Sequence, residues 1–404
     1  MNAQTQKIMI EEIAGSLDIP ESAYEKAEKR YKDLGDWFDR REGRCFSFSP
    51  HIYPQGSFRL GTVVRPLSEK HEYDLDVGCR LRQGISKTTY TQKQLKTLVG
   101  IDLEDYRKAR KIQNPLDERN RCWRLEYVDE MNFHMDVVPS IPEETRRLES
   151  LQEAMIKSGK DKFLAQAVAK FAGSITDKRL RNYELITTDW LISNSEGYAK
   201  WFESRMSLAK ALLEKRVFEA KVAQVDDLPA RKWKSPLQRC IQILKCHRNI
   251  MFEKDPDGKP ISVIITTLAA GAYQGEDNVE SAMQTILSRM EDLVYKQSPR
   301  VPNPVNPVED FADKWPTTEG LQLELEKNFW LWLNQAKADF DALGSSGDVQ
   351  YLTEQAVRKF GATLNAGDLR KKLGAAVSIS IASQGLAEKT PKNPVDHRGG
   401  GRFG

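Results

Sequence analysis

Residues Tyr53–Val77 read YPQGSFRLGTVVRPLSEKHEYDLDV, and this stretch decides the fold. It opens on a glycine–serine pair, Gly56 and Ser57, and closes on two aspartates at alternate positions, Asp74 and Asp76. Side chains two residues apart on a strand share a face. Glu72–Leu81 therefore predicts a strand that presents two carboxylates side by side while Leu75 and Val77 turn inward. Two carboxylates this close repel each other unless a cation lies between them. Mg²⁺ suits the position, because it takes hard oxygen ligands and leaves sites open for phosphates.

Downstream, Cys122–Val128 and Asn132–Val138 predict two strands joined through Asp129-Glu130-Met131. On the second strand Phe133, Met135 and Val137 share one face, and His134, Asp136 and Val138 the other. Asp136 is thus a third carboxylate able to turn toward Asp74 and Asp76. A lone Asp-x-Asp is common on surfaces and in calcium loops, and an isolated Gly-Ser pair is an ordinary turn. Together with Asp136 they point to metal-dependent nucleotidyl transfer. In a two-metal scheme one ion activates the attacking hydroxyl and the other stabilises the pyrophosphate. Gly56 lets the backbone come close, so Ser57 and neighbouring N–H groups can hold phosphate oxygens.

The rest of the composition is that of a soluble globular protein. The chain has 404 residues, 40% hydrophobic and 29% charged, with a net charge of +3. So small a net charge argues against a protein that coats nucleic acid. No apolar run reaches the roughly 18 residues of a membrane span. The N-terminus MNAQTQKIMIEEIAGS has no apolar signal core, and a cytoplasmic protein is expected. The five cysteines and five histidines are scattered, with no CxxC pair, which predicts reduced thiols and no structural zinc.

Helical periodicity marks the N-terminal segment, with a break and fresh start at Pro20-Glu21. Arg59–Leu67 predicts a short helix and turn, and Thr91–Ile112 a helix. After Pro142 the pattern is mostly helical: Leu148–Phe171, Ala199–Lys221, Pro236–Phe252, a nearly all-apolar Ile261–Tyr273, Asn278–Tyr295, Gly320–Asp341, Leu352–Phe360 and Ala366–Leu373. Tyr183–Ser193 suggests a last strand with its turn. Ser298–Pro307 (SPRVPNPVNP) is too proline-rich for a helix and predicts an ordered surface loop. From Lys389 the chain is Pro- and Gly-rich and predicts a mobile tail.

The order P-Q-G-S-F, then E-Y-D-L-D-V, then F-H-M-D-V-V-P resembles the cGAS/DncV-like nucleotidyltransferases, bacterial relatives of the oligoadenylate synthases. The similarity continues through Trp233–Arg239 and Ile243–Arg248. There Lys245 matches the family's triphosphate-binding lysine. Ser262 matches a serine that helps hold the donor phosphates. Asn306, Pro307, Phe311, Ala312, Asp313 and Trp315 match a further family stretch, so residues 35–340 are covered in the main.

The resemblance implies an α+β fold: a polymerase-β-like nucleotidyltransferase lobe with a mixed sheet, and a helical lobe closing over it. The expected boundaries are 1–198, 199–388 and a Gly-rich tail, 389–404. It implies Asp74, Asp76 and Asp136 as catalytic metal ligands for two Mg²⁺ ions, with Mn²⁺ as an alternative. Gln55, Gly56, Ser57, Lys245 and Ser262 would hold the triphosphate. ATP, GTP or another nucleoside triphosphate would be joined into a cyclic di- or trinucleotide. That product would activate a partner effector in antiphage (CBASS-type) defence. The tail resembles family members joined through their C-terminal glycine, here Gly404, by a ubiquitin-conjugation-like partner; a plain disordered end is the other reading. The vertebrate relative senses DNA through a zinc-binding insertion, and no Cys/His cluster here supports activation of that kind. Transfer onto a protein, an RNA or a small molecule, and a non-catalytic nucleotide-binding module, are the alternatives. For His134, packing or support of a ligand is the expected role. Arg59 and Arg65 are open between phosphates and surface, and Trp190 and Tyr273 between base stacking and core.

Overall fold

The computed structural model describes residues 3–66, 72–128, 133–208, 234–343 and 348–373. Its centre is a mixed sheet. β1 (Pro50–Pro54) runs antiparallel to β2 (Tyr73–Leu81), which runs parallel to β5 (Phe133–Pro142). β4 (Trp123–Tyr127) is antiparallel to β5, and β3 (Asp117–Glu118) to β4, giving the order β1-β2-β5-β4-β3. β6 (Gly173–Ile175) pairs with the C-terminal end of β5, and β7 (Leu191–Ser193) pairs with β6. Parallel strands need a long crossover. Here it contains the helix α4 (Gln92–Ala109), started by a capping box between Thr91 and Gln94.

Alternation along the strands sorts the residues as the sequence predicts. Leu75, Val77, Leu125, Met135 and Val137 are fully buried under α2 (Glu21–Phe38) and α4. The opposite face carries the carboxylates. β1 is an element the sequence hides, because Pro50 and Pro54 read as terminators. Both stand at the ends of an edge strand, where a missing N–H costs no ladder bond.

A second core is helical. It joins α1 (Ala3–Ser16), α5 (Thr145–Lys157), α6 (Lys162–Ala169), α7 (Ser195–Met206), α8 (Pro236–Met251), α9 (Ser262–Ala272) and α10 (Val279–Arg289). Met9, Ile10 and Ile13 of α1, with Leu151 and Met155 of α5, share this cluster with the later helices.

Several expected elements change form. Leu148–Phe171 is two helices, α5 and α6, broken where Gly159 takes a φ of +84°. Gly320–Asp341 is likewise two, α11 (Thr318–Gln322) and α12 (Leu325–Ala342), with Glu324 left-handed at the break. The short helix predicted over Arg59–Leu67 begins instead at Gly56, as α3 (Gly56–Leu60), and Gly61 ends it. Of Tyr183–Ser193 only β7 is extended. Helix α7 precedes the expected Ala199 start, and residues 209–233 lie outside the described ones, as do the Asp129-Glu130-Met131 connection, the tail and Gly404. The proline-rich Ser298–Pro307 is not a surface loop. It contributes to a two-stranded ribbon, β8 (Pro302–Asn303) with β9 (Asn306–Asp310), and Val301 and Val305 are fully buried. No helix among the described residues is long and apolar enough to cross a membrane.

One helix ties the two cores together. Gln238, Gln242 and Lys245 recur at i, i+4 and i+7 on α8 and so share a face. They donate in turn to Leu60 O at 2.8 Å, Val63 O at 2.7 Å and Thr62 Oγ1 at 3.0 Å. The segment leaving α3 is thereby strapped to the helical lobe.

Candidate active site

The register of three strands builds the acidic face. Asp76 lies opposite Asp136, and Asp136 opposite Arg124; in the next row Asp74 lies opposite His134. Ligand atoms of Asp74, His134 and Asp136 all lie within 4.8 Å of one another. Asp76 is partly buried, and that burial, with the charges of Asp74 and Asp136, pushes its pKa up to about 7. Gly56 explains how Asp76 fits: a Cβ at residue 56 would stand 1.9 Å from Asp76 Oδ2, and its φ of +60° suits glycine. The glycine–serine pair therefore opens a helix pressed against the aspartate rather than forming an isolated turn.

Two cationic side chains flank the acids. Arg124 Nε and Nη2 each donate to Asp136 at 2.7 Å, a bidentate clamp. His134 sits 2.9 Å from Asp74 through Nε2 and 2.9 Å from Glu72 through Nδ1. Burial opposes its charged form, but those two carboxylates outweigh burial and raise its pKa. His134 thus supports Asp74, as its place beside Asp136 suggests. The Arg124 clamp is invisible in sequence, since it depends on the register between β4 and β5.

Across the cleft the wall is cationic. Lys245 is buried, and burial together with Arg248 lowers its pKa to about 7. Arg248 Nη2 donates to Ser262 Oγ at 3.2 Å, and Lys259 stands beside it. None of these three cations makes a salt bridge with a described carboxylate. One cavity of the cleft is lined by Ser57, Asp74, Lys245, Arg248, Lys259 and Ser262. Two buried cations, Lys245 and Arg248, and the half-buried Lys259, none in a salt bridge with a described carboxylate, face the acids across a space that favours an anion on one side and a metal on the other.

The cleft continues past Asp76 into a second cavity, lined by Gly56, Ser57, Asp74, Asp76, Lys245 and Ser262, and further on by Tyr198, Asn303, Glu309 and Phe311. The last four were not singled out as pocket residues by sequence. Two come from the ribbon whose prolines disguised it.

Most expected site residues thus share one cleft, with three qualifications. Gln55 stands outside both cavities. Its N–H donates to Asp76 O at 2.8 Å, and its Nε2 lies by Gly78, so it buttresses the carboxylate strand. Asp136 lines neither cavity; its carboxylate stands beside Asp74, held by Arg124. Ser262, the first residue of α9, already accepts at its Oγ from Arg248. Arg59 pairs with Glu203 at 2.6 Å and Arg65 donates to Asp18 O at 2.7 Å, while Trp190 and Tyr273 are buried core.

Comparison with known proteins agrees with this geometry. Residues 50–139 match the family of the cyclic GMP-AMP synthase DncV-like nucleotidyltransferase domain. A c-di-GMP synthase of Roseivirga ehrenbergii is 27% identical over 354 residues, spanning 86% of this chain and 82% of that protein. The cyclic dinucleotide synthase CdnG of Bradyrhizobium diazoefficiens is 26% identical over 362 residues, 85% of this chain and 76% of that one. The solved structure of Bradyrhizobium diazoefficiens CdnG in complex with GTP has a TM-score of 0.60 at 21% identity, covering 92% of this chain and 98% of that chain, and shares the fold. With a matched DncV-like nucleotidyltransferase domain and long alignments to cyclic dinucleotide synthases, the chain is a nucleotidyltransferase similar to the cGAS/DncV-like enzymes.

Proposed function

We propose that this enzyme joins nucleoside triphosphates into a cyclic di- or trinucleotide. The observation that carries the reading is the cleft itself. Asp74, Asp76 and Asp136 stand on two hydrogen-bonded strands; Asp74 and Asp76 line the cleft with Lys245, Arg248 and Lys259, and Asp136 stands beside Asp74. The relatives, a c-di-GMP synthase and a cyclic dinucleotide synthase, support the same product class.

The donor set fits hard divalent ions: three carboxylates, with the nearby imidazole already committed to Asp74 and Glu72. Asp74, Asp76 and Asp136 would hold Mg²⁺ or Mn²⁺, which supply charge neutralisation at the reacting phosphate and its leaving group. The protein residues do the rest. Ser57, Lys245, Arg248, Lys259 and Ser262 hold the triphosphate of the donor. A ribose hydroxyl of the second nucleotide bonds to the α-phosphorus as pyrophosphate departs, and its proton passes to Asp136. Arg124 keeps that carboxylate turned toward the cleft. A second round of the same chemistry closes the ring.

A cyclic product suits the role of a diffusible signal to an effector in antiphage defence, and conjugation through Gly404 and a cytoplasmic location belong to the same proposal. Incubation with labelled triphosphates and Mg²⁺ tests the core of it. A phosphatase-resistant small product is the expected result. Label on a macromolecule, or nucleotide binding without any turnover, would replace it with another reading.

A further inference from the structure

A further carboxylate, Glu309, lines the second cavity together with Asn303, Tyr198 and Phe311. Glu309 is on β9, and its Oε2 accepts from Asn303 Nδ2 at 2.8 Å and from Asn306 Nδ2 at 3.3 Å. Asn303 is held in that orientation, because its Oδ1 accepts from Val305 N at 3.0 Å. Glu309 Oε1 accepts no hydrogen bond from the described residues. The neighbouring Asp310 is used differently. It takes the N–H groups of Arg300, Val301 and Ala312 and closes the base of the ribbon. Glu309 therefore costs the fold two buried amides to hold one carboxylate still and leaves its second oxygen without a protein donor. Phe311 and Tyr198 stand 6.2 Å apart at their ring centres.

Granting that a nucleotide occupies this cleft, we infer that Glu309 selects guanine as the base bound beside Phe311. The Watson–Crick edge of guanine carries two adjacent N–H donors, on N1 and on the 2-amino group. Adenine and cytosine set a lone-pair acceptor beside their amino group, which a carboxylate repels. Uracil offers a single N–H between two carbonyl oxygens. A fixed carboxylate oxygen is thus matched to guanine and mismatched to the others, and Phe311 offers a ring on which a purine stacks. A site built to receive donors discriminates strongly against bases that lack them, because its polar group is otherwise left unpaired.

The test is equilibrium binding of GTP, ITP and ATP to the full chain, in Ca²⁺. ITP is the decisive probe, because it lacks only the 2-amino group. GTP should bind about tenfold or more tighter than ATP, with ITP between them. Glu309→Gln, whose amide presents a donor beside an acceptor, should lower the GTP-to-ATP preference by about tenfold or more. Phe311→Leu should weaken all three ligands and keep their ranking. ATP binding as tightly as GTP in the native protein would overturn the inference and leave the nucleotide reading intact. So would an unchanged preference in Glu309→Gln that melts like the native chain. Failure of all three triphosphates to bind would overturn the nucleotide reading and this inference with it.

Discussion

On the sheet side of the cleft, Asp74, Asp76 and Asp136 come from two strands whose backbone ladder sets their spacing. On the helical side, Lys245, Arg248, Ser262 and Glu309 come from α8, α9 and a ribbon, placed by side-chain packing and hydrogen bonds. Burial, together with the Asp74 and Asp136 charges that the ladder holds close, pushes Asp76 up to about 7. Packing instead buries Lys245 beside Arg248 with no carboxylate paired to it among the described residues, which is why it is pulled down to about 7. Each wall is costly alone, and the proposed occupants, metal at one and polyphosphate at the other, would relieve both.

Removing the cation of the helical wall should have the largest effect. Lys245→Met should lower kcat/KM by about 10²–10³-fold, and a loss of less than threefold in steady-state kinetics would mean that this wall does not hold phosphate. Gly56→Ala sharpens the same contrast from the sheet side. The added Cβ meets Asp76 Oδ2 at 1.9 Å in a left-handed backbone, and urea unfolding should show a loss of about 2–3 kcal/mol. An unchanged midpoint would show that the aspartate can move aside. Arg124→Met should release Asp136 and reduce turnover and Mn²⁺ affinity together by about 10–100-fold. Lower turnover with unaltered Mn²⁺ binding would place Arg124 outside the metal wall.

The smallest effect is a gain. Between about pH 4 and pH 7 the unfolded chain releases a proton from Asp76 that the metal-free fold retains, because the folded pKa is about 7 against the usual 3.8. The carboxylate's cost to folding therefore grows through that window and is complete above it. Asp76→Asn should stabilise the metal-free protein by about 1–2 kcal/mol above pH 7 and by nothing below pH 4. Thermal melts across pH read this out, and a destabilised variant at pH 8 would contradict it.

The two walls also differ in how much of them sequence reveals. Strand alternation exposes Asp74, Asp76 and Asp136, since a period of two survives any uncertainty at strand ends. The buried helix α9 is legible from its apolar run. Lys245 is not distinguishable from a solvated helix lysine by pattern, and only the family resemblance singles it out. Arg124 depends on cross-strand register. Glu309 sits in a ribbon built partly from SPRVPNPVNP itself, and local proline content argues against the strands that long-range packing imposes there. Gln55 has the converse fate: it adjoins the glycine–serine pair in sequence, yet its side chain leaves the cleft for Gly78.

The central claim is that both walls serve one metal-dependent nucleotidyl transfer ending in a ring. Mass spectrometry of the product formed from mixed nucleoside triphosphates and Mg²⁺, with native protein and with Asp74→Asn combined with Asp76→Asn, addresses it most directly. The account predicts a cyclic di- or trinucleotide from the native chain and none from the double variant. The same cyclic product from both proteins, or linear and macromolecule-attached nucleotide alone from the native one, would contradict it.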